Sequence, residues 1–293
     1  MNDTIIVEKV HSETEFTVYH EELRSTMYLK QISNDENLDK WAALPAHSNV
    51  INLFQQFDHQ EGDKRFRFSL SETTKQGNMY KYIQQMNLKL GIKIEMSYME
   101  MIYDCMIQLT LGLEHAHSHG LVHGTFGLHN VMIGRDGDTN IFKINNFTPG
   151  TSLKLPMTNE ANFWPFIRNG RGSQAEKTEI LMLKDIYSLG ICLLELMIGR
   201  YNSSKYSITL DSLPLTWAEY AEATPLIQVL IECIQLDAIT QRKGKLAGIR
   251  QLLIKEHSKF FNKTYYKMGE PFVGKKTDIL NKLAIASLFQ ANY

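Results

Sequence analysis

The chain has 293 residues, of which 43% are hydrophobic, so it can bury a large core in one large domain or in two lobes. Its 31 basic and 32 acidic residues nearly cancel, which leaves no overall field directed toward nucleic acid or an anionic membrane surface. We therefore expect no nucleic-acid partner and no membrane partner. Three cysteines form too sparse and too odd a set for a disulfide framework.

The sequence predicts a cytoplasmic or nuclear protein. Its first residues, MNDTIIVEKVHSETEF, contain no basic segment followed by an apolar run, so no secretory signal is expected. The most apolar segment, residues 186–198, is too short to span a bilayer and carries Glu195. Cys105, Cys192 and Cys233 each lie in an apolar stretch, where a free thiol behaves as a small buried hydrophobe.

Short β-type runs come first along the chain. They occupy residues 16–19, 27–30, 50–54 and 66–70, with turn or charged residues between them. Runs of this length and composition indicate strands. Together they predict a small antiparallel sheet.

The pattern changes to helical spacing from residue 97 onward. The first helical run contains Met101, Ile102, Cys105, Met106, Leu109 and Leu113. Further helices are predicted at 184–198 and 225–236. Two apolar runs, 131–133 and 141–144, flank a polar turn and predict a hairpin. A small sheet followed by a mostly helical half indicates an α+β protein.

A series of short motifs then resembles the landmarks of protein kinases, in the family's order. Residues 27–30 (Met-Tyr-Leu-Lys) resemble the V-A-I-K of the third strand, and 46–50 resemble the H-P-N-I turn after the family's αC helix. Residues 113–120 resemble the end of the αE helix. Residues 123–130 (His-Gly-Thr-Phe-Gly-Leu-His-Asn) resemble the catalytic loop H-R-D-L-x-x-x-N.

Three later motifs complete the resemblance, which covers about residues 10 to 257. Residues 143–148 are similar to K-I-x-D-F-G, and 184–190 are similar to the D-V-W-S-L-G of the αF helix. The residues that resemble the late L-D-P-x-x-R-P are Leu236, Asp237 and Arg242. The resemblance implies a bilobal protein-kinase-like fold, with a small antiparallel N-lobe and short αC helix over residues 1–73, a hinge at about 71–77, and a larger helical C-lobe over 74–259.

The resemblance also implies that the charged groups of phosphoryl transfer are missing. The catalytic base is replaced by Thr125, whose hydroxyl cannot take a proton near neutral pH. Gly127 stands where many serine/threonine kinases carry a lysine. The metal-binding aspartate is replaced by Asn146, or by Asn145 if the alignment slips by one residue. Either choice gives a neutral amide where Mg²⁺ is normally held by a carboxylate.

Nucleotide binding is also expected to be absent or weak. Kinases cover the phosphates with a glycine-rich loop, but the first glycine of this chain is Gly62. The alanine that packs on adenine is replaced by Tyr28, whose ring we expect to fill that pocket. We therefore predict that neither ATP nor Mg²⁺ serves as a cofactor and that the chain has no metal site.

Several kinase-like residues are retained, and we expect structural roles for them. Lys30 pairs with an αC glutamate in the family, but the segment 34–44 offers only Glu36 with Asp35 and Asp39, so a position in solvent or beside a local acid is equally open. Asn130 is expected to brace the loop. His123 and Phe147 are expected to stack between the lobes.

The αF-like aspartate, Asp185, is expected to accept backbone N–H bonds from the loop. Arg242 lacks its usual glutamate, because the best A-P-E candidate, residues 163–166, ends in Phe166. Glu176 or Glu179 could replace it. The extension 260–293 is expected to pack on the C-lobe or to bind a partner.

The leading hypothesis is a pseudokinase that acts as a scaffold, allosteric regulator or protein-interaction module for another protein, such as an active kinase or a larger complex. One alternative is a divergent kinase with weak ATP-dependent Ser/Thr phosphotransfer through Lys30, Asn130 and displaced acids. The candidate acids are Asp104, Asp136 and Asp138. A second alternative is a structural subunit of a large assembly. A zinc site is a further, less favoured option for His115, His117, His119, His123 and His129.

Overall fold

The structure is a computed structural model, and it describes residues 5–21, 24–32, 36–74, 76–86, 95–147, 174–198, 217, 219–234 and 245–262. The chain divides into two compact units between residues 75 and 76. Within the described ranges, no helix is long and apolar enough to cross a membrane. The predicted late-motif residues Leu236, Asp237 and Arg242, the segment 163–166, and residues 263–293 lie outside the described residues.

The first unit is built on a five-stranded sheet. Its strands are β1 (Ile5–Ser12), β2 (Glu15–His20), β3 (Ser25–Ile32), β4 (Leu53–Glu61) and β5 (Lys64–Glu72), in the order β1-β2-β3-β5-β4. All neighbouring pairs are antiparallel. One short helix, α1 (Glu36–Ala43), lies between β3 and β4 in the chain. The predicted small antiparallel sheet with a short helix is confirmed.

The sheet differs from the prediction at two strands. β1 was not predicted, and β4 begins at Leu53, three residues later than expected. The reason for the later start is a turn, in which the Val50 N–H donates to the His47 carbonyl at 3.2 Å. The Trp41 indole N–H of α1 then donates to the Ile51 carbonyl at 2.9 Å. Residues 50–52 are therefore buried by the turn and by α1, and the strand ladder starts after them.

The sheet has an apolar face and a polar face. Its apolar core consists of Val18, Met27, Phe54 and Leu70, with Ile5, Phe16, Leu29 and Phe57 packed against it. Successive side chains of a strand point to opposite faces. Tyr28 and Lys30 alternate with Met27 and Leu29 along β3, so they lie on the opposite face from this core.

The second unit is mostly helical, as predicted. Its helices are α2 (Met79–Met86), α3 (Met96–Ser118), α4 (Gln174–Ile198), α5 (Thr224–Ile234) and α6 (Lys245–Phe261). The predicted hairpin is also present, as β6 (Val131–Asp136) and β7 (Thr139–Ile144). The helix predicted at 184–198 begins ten residues earlier, at Gln174.

Helix α3 is the central packing element of this unit. Its Gln108 side chain joins it to β7, because the amide oxygen accepts from the Phe142 N–H at 2.8 Å and the amide nitrogen donates to the Asn140 carbonyl at 3.1 Å. Glu114 joins it to α6 through Arg250, at 2.8 Å. The three cysteines are free and buried, which agrees with their expected role as small hydrophobes.

Glycine is required where α4 meets α5. A Cβ atom at Gly190 would lie 2.5 Å from the Cys233 Cβ and 2.7 Å from the Ile234 Cγ2. Real Cβ atoms essentially never approach neighbours this closely. The absence of a side chain therefore lets α4 pack directly against α5, and α4 carries the aspartate that organises the candidate site.

Glu195 on α4 leads to a prediction about pH. Burial raises the pKa of this carboxyl from 4.5 to about 8. The folded state therefore keeps a proton that the unfolded chain releases, and the free energy of unfolding falls as pH rises through this range, by up to about 1.4 kcal/mol per pH unit. We expect Glu195→Gln to remove this contribution, so that the variant gains stability over the parent protein at pH 8 and loses the advantage near pH 5.

The measurement is urea unfolding of both proteins at several pH values, with the exposed Glu219→Gln as the matched control. Parallel stability profiles for the parent and Glu195→Gln would contradict the prediction.

Candidate functional site

The loop that follows α3 is anchored by the buried carboxylate of Asp185. This carboxylate accepts the backbone N–H groups of His123 and Gly124 at 2.7 and 2.9 Å. His117 Nε2 on α3 lies 3.0 Å from the same carboxylate. Burial alone would raise the pKa of Asp185, but its hydrogen bonds and the neighbouring histidines hold the pKa below its ordinary value. Asp185 is therefore an ionised anchor for the backbone of this loop.

His123 is held in one neutral tautomer. Its Nε2 donates to the Asn145 carbonyl at 2.9 Å, and its Nδ1 accepts the Thr125 N–H at 3.3 Å. Burial lowers the pKa of His123 despite the nearby Asp185 carboxylate. The ring also packs against Phe126 and Phe147, with centroid separations of 5.4 and 5.0 Å. His123 thus links the loop to the strand end that carries Asn145 and Phe147.

A chain of hydrogen bonds joins the positions that would carry the metal ligands and the catalytic base in a kinase. Asn130 Nδ2 donates to the Thr125 carbonyl at 3.0 Å, and Asn130 Oδ1 accepts from Asn146 Nδ2 at 3.3 Å. The first bond decides the orientation of the Asn130 amide, because a carbonyl can only accept. The oxygen of Asn130 is therefore turned toward Asn146.

Asn146 adopts a conformation that suits asparagine. Its φ is 65°, in the left-handed region that asparagine tolerates better than most residues. Its N–H donates to Asn145 Oδ1 at 2.8 Å, and the Asn145 N–H donates to the Asn130 carbonyl at 2.9 Å. Both candidate positions for the metal-binding aspartate, 145 and 146, thus take part in hydrogen bonds that stabilise the loop.

The three acids that could replace the missing catalytic base lie on α3 and in the β6–β7 hairpin. Asp136 and Asp138 are exposed, the first at the end of β6 and the second in the turn that follows. Asp104 lies on α3, with its carboxylate 3.4 Å from His257 on α6.

At Gly127, a Cβ would meet the His129 ring at 2.9 Å, so a side chain here requires that ring to move.

The histidines do not form one cluster. The rings of His115 and His119 contact each other in a tilted arrangement, with centroids 4.7 Å apart, whereas His117 faces Asp185 and His123 faces Asn145. In the part of the chain that the structure describes, no three His, Cys, Asp or Glu side chains come together as a metal-binding group.

In the first unit, Lys30 pairs with an acid that sequence reasoning missed. Its Nζ lies 3.2 Å from Glu15 Oε1 on the neighbouring strand β2. Asp39, one of the predicted candidates, instead lies 3.8 Å from Arg67. The side chains of Asp35 and Glu36 lie outside the described residues. The available signal was the register of the β2–β3 hairpin, in which Glu15 is directly opposite Lys30.

Tyr28 belongs to the same polar group. It hydrogen-bonds to Glu15, and burial together with this bond raises the pKa of the Tyr28 hydroxyl. Its ring lies 6.0 Å from that of His11. The ring is half-buried, and the prediction that it fills an adenine pocket stays a prediction.

Comparisons with known proteins find similarity to protein kinases. No protein-family model matches the chain. The chain is 25% identical over 203 residues to the serine/threonine-protein kinase PLK4 of Nematostella vectensis, a match that covers 66% of the chain and 19% of the relative. It is 29% identical over 154 residues to an Aurora kinase of Dictyostelium discoideum, covering 53% of the chain and 36% of the relative. The chain thus spans well under half the length of these curated relatives.

A similar fold occurs in a solved kinase domain. A double mutant of the PknI kinase domain of Mycobacterium tuberculosis superposes with a TM-score of 0.58 at 14% sequence identity, over 86% of this chain and 94% of that one. The fold is therefore that of a protein kinase domain. Together with the two sequence relatives, this likeness supports a place for the chain in the protein-kinase-like superfamily.

The central position of Asp185 leads to a second prediction. We expect Asp185→Asn to lower the free energy of unfolding by roughly 3–5 kcal/mol, because it replaces a buried acceptor of several hydrogen bonds by a group that is half donor. Urea unfolding near pH 7 measures the loss, and Asp138→Asn in the exposed hairpin turn is the matched control. Equal midpoints for the two variants would show that the anchor carries no stability.

Proposed function

We propose that this protein is a pseudokinase, which performs no phosphoryl transfer and acts as a scaffold or allosteric regulator for another protein. The observation that carries the proposal is the hydrogen-bonded chain from Asn146 through Asn130 to Thr125. In a kinase, the corresponding positions hold two metal ligands and the catalytic base. Here all three side chains are neutral, and the Asn130 amide bonds to the Asn146 amide and to the backbone carbonyl of Thr125.

The amide chain opposes a metal ion for a geometric reason. Phosphoryl transfer depends on Mg²⁺ to bridge the phosphates and to neutralise developing charge. Asn130 Oδ1 is the atom that would ligate the ion, but the Asn146 amide already donates a hydrogen bond to it at 3.3 Å. A cation there would meet the positive end of the Asn146 amide dipole and would gain no carboxylate.

The missing base supports the same conclusion. A general base must accept the proton of the attacking hydroxyl, which is typically worth about 100- to 10,000-fold in rate. The hydroxyl of Thr125 is not basic, and the acids at 104, 136 and 138 lie on α3 and in the β6–β7 hairpin. Loss of both the base and the metal ligand makes a rerouted mechanism the weaker proposal.

The preserved interior supports a role that depends on shape. Asp185, His123 and Phe147 are completely buried, and their hydrogen bonds and ring packing hold the loop in place. A fold maintained without its chemistry is suited to binding another protein. The partner we favour is an active kinase or a larger complex.

Two measurements test the proposal directly. We expect ATP to give no thermal stabilisation that depends on Mg²⁺ or Mn²⁺, and we expect no transfer of the γ-phosphate to the chain or to a generic protein substrate. An active serine/threonine kinase domain is the positive control. A metal-dependent rise in melting temperature of several degrees, together with labelled product, would overturn the proposal.

The amide chain leads to a further prediction about Asn146. We expect Asn146→Asp to lower stability in EDTA by about 1–2 kcal/mol, because a carboxylate facing Asn130 Oδ1 has no proton to donate. Asn145→Asp is the matched control, since its side chain oxygen still accepts the Asn146 N–H. Urea unfolding compares the two. Equal stability of both variants would mean that the bond between Asn146 and Asn130 is not needed.

A further inference from the structure

We propose that the Glu15 carboxylate forms an ion pair with the Lys30 ammonium and so competes with phosphate groups for it. The inference rests on the proposed function, because it explains why a chain without phosphoryl transfer retains Lys30. It assigns the sheet an autoinhibitory contact against polyphosphate ligands. The contact lies entirely within the first unit, on the polar face of strands β2 and β3.

The backbone of the sheet positions the pair. Glu15 and Lys30 are directly opposite each other in the antiparallel register of β2 and β3, and opposite neighbours on one face have side chains within reach of each other. Their charged groups lie 3.2 Å apart, with side-chain exposures of 33% and 29%. The pair is therefore partly shielded from water, and its geometry does not depend on the position of helix α1.

A third residue on the same face holds Glu15 in place. Tyr28 is two residues before Lys30 on β3 and donates a hydrogen bond to the Glu15 carboxylate. Burial alone would raise the pKa of Glu15, but the Tyr28 hydroxyl and the Lys30 ammonium outweigh it and hold the pKa below its ordinary value. Glu15 is therefore ionised at neutral pH and oriented from two sides.

Next to this group, a further contact strengthens the polar face. His11 of β1 lies 2.7 Å from the Thr17 hydroxyl, between the ring nitrogen Nε2 and Oγ1. Thr17 is directly opposite Tyr28. The polar side chains of three adjacent strands thus contact one another, and the Glu15 carboxylate belongs to this group of contacts.

The electrostatic consequence concerns phosphate. The kinase resemblance implies a lysine that pairs with the α- and β-phosphates. A phosphate placed on the Lys30 ammonium would also approach the Glu15 carboxylate, and like charges repel at this separation. Binding would require the Glu15–Lys30 and Glu15–Tyr28 contacts to open. The retained lysine is therefore an internal counterion, and the chemical class it excludes is the polyphosphates.

The experiment removes the charge of Glu15 and measures binding of inorganic tripolyphosphate, without metal, by calorimetry. We expect Glu15→Gln to bind tripolyphosphate at least tenfold more tightly than the parent protein. Glu13→Gln, which makes the same charge change at an exposed position in the β1–β2 turn, is the matched control and should change affinity little. Adding Lys30→Met to Glu15→Gln should abolish the gain.

Tyr28→Phe provides a second variant that keeps both charges and removes only the hydroxyl that orients Glu15. We expect it to give a smaller gain in tripolyphosphate affinity, and circular dichroism checks that each variant is folded. The proposal is overturned if Glu15→Gln binds no more tightly than Glu13→Gln, or if the gain survives Lys30→Met. If Glu15→Gln does not fold, the proposal is overturned when Tyr28→Phe shows no gain in tripolyphosphate affinity. Because these assays contain no metal and measure no transfer, they are independent of the test of phosphoryl transfer.

Discussion

The arrangement of the helical unit depends on one buried carboxylate, that of Asp185. It reaches from α4 to the start of the loop after α3 and accepts two consecutive backbone N–H groups there. These N–H groups are buried and have no helix or strand partner, so leaving them unsatisfied would be expensive. Gly124 has a left-handed φ of 79°, which glycine adopts without strain. Every other contact of the loop builds on the backbone path that Asp185 enforces.

The loop has the hydrogen-bonded frame of a kinase catalytic loop but not the charged groups that usually accompany it. Its frame is maintained by Asp185, by the His123 tautomer and by the packing of Phe147, and none of these groups touches a reacting atom. Its reactive positions hold Thr125 and Asn146, which supply neutral hydrogen-bonding groups. A buried polar group needs a partner whatever its chemistry, and here the amides partner one another. The hydrogen bonds of the frame are therefore satisfied within the chain.

The sequence predicted the frame better than the details of the first unit. Asp185, His123 and Asn130 could be placed because each motif fixes a residue relative to a loop or helix that is local in the chain. The partner of Lys30 could not, because it depends on the strand register between β2 and β3, which no single motif specifies. The start of β4 was wrong for a similar reason: residues 50–52 have the composition of a strand, but the turn with His47 uses the Val50 N–H and the Trp41 indole uses the Ile51 carbonyl.

The two retained kinase-like residues show why identity at a position does not carry function with it. Lys30 and Asn130 lie in different units, yet each is held by a residue that the family pattern does not contain at that place, Glu15 for the lysine and Asn146 for the asparagine. Under the proposed function, a neighbour in each case takes the contact that a ligand would otherwise make. A charged or strongly polar side chain that loses its ligand must be removed or given an internal partner. If the proposed function is correct, these internal partners explain why the two residues are retained without catalysis.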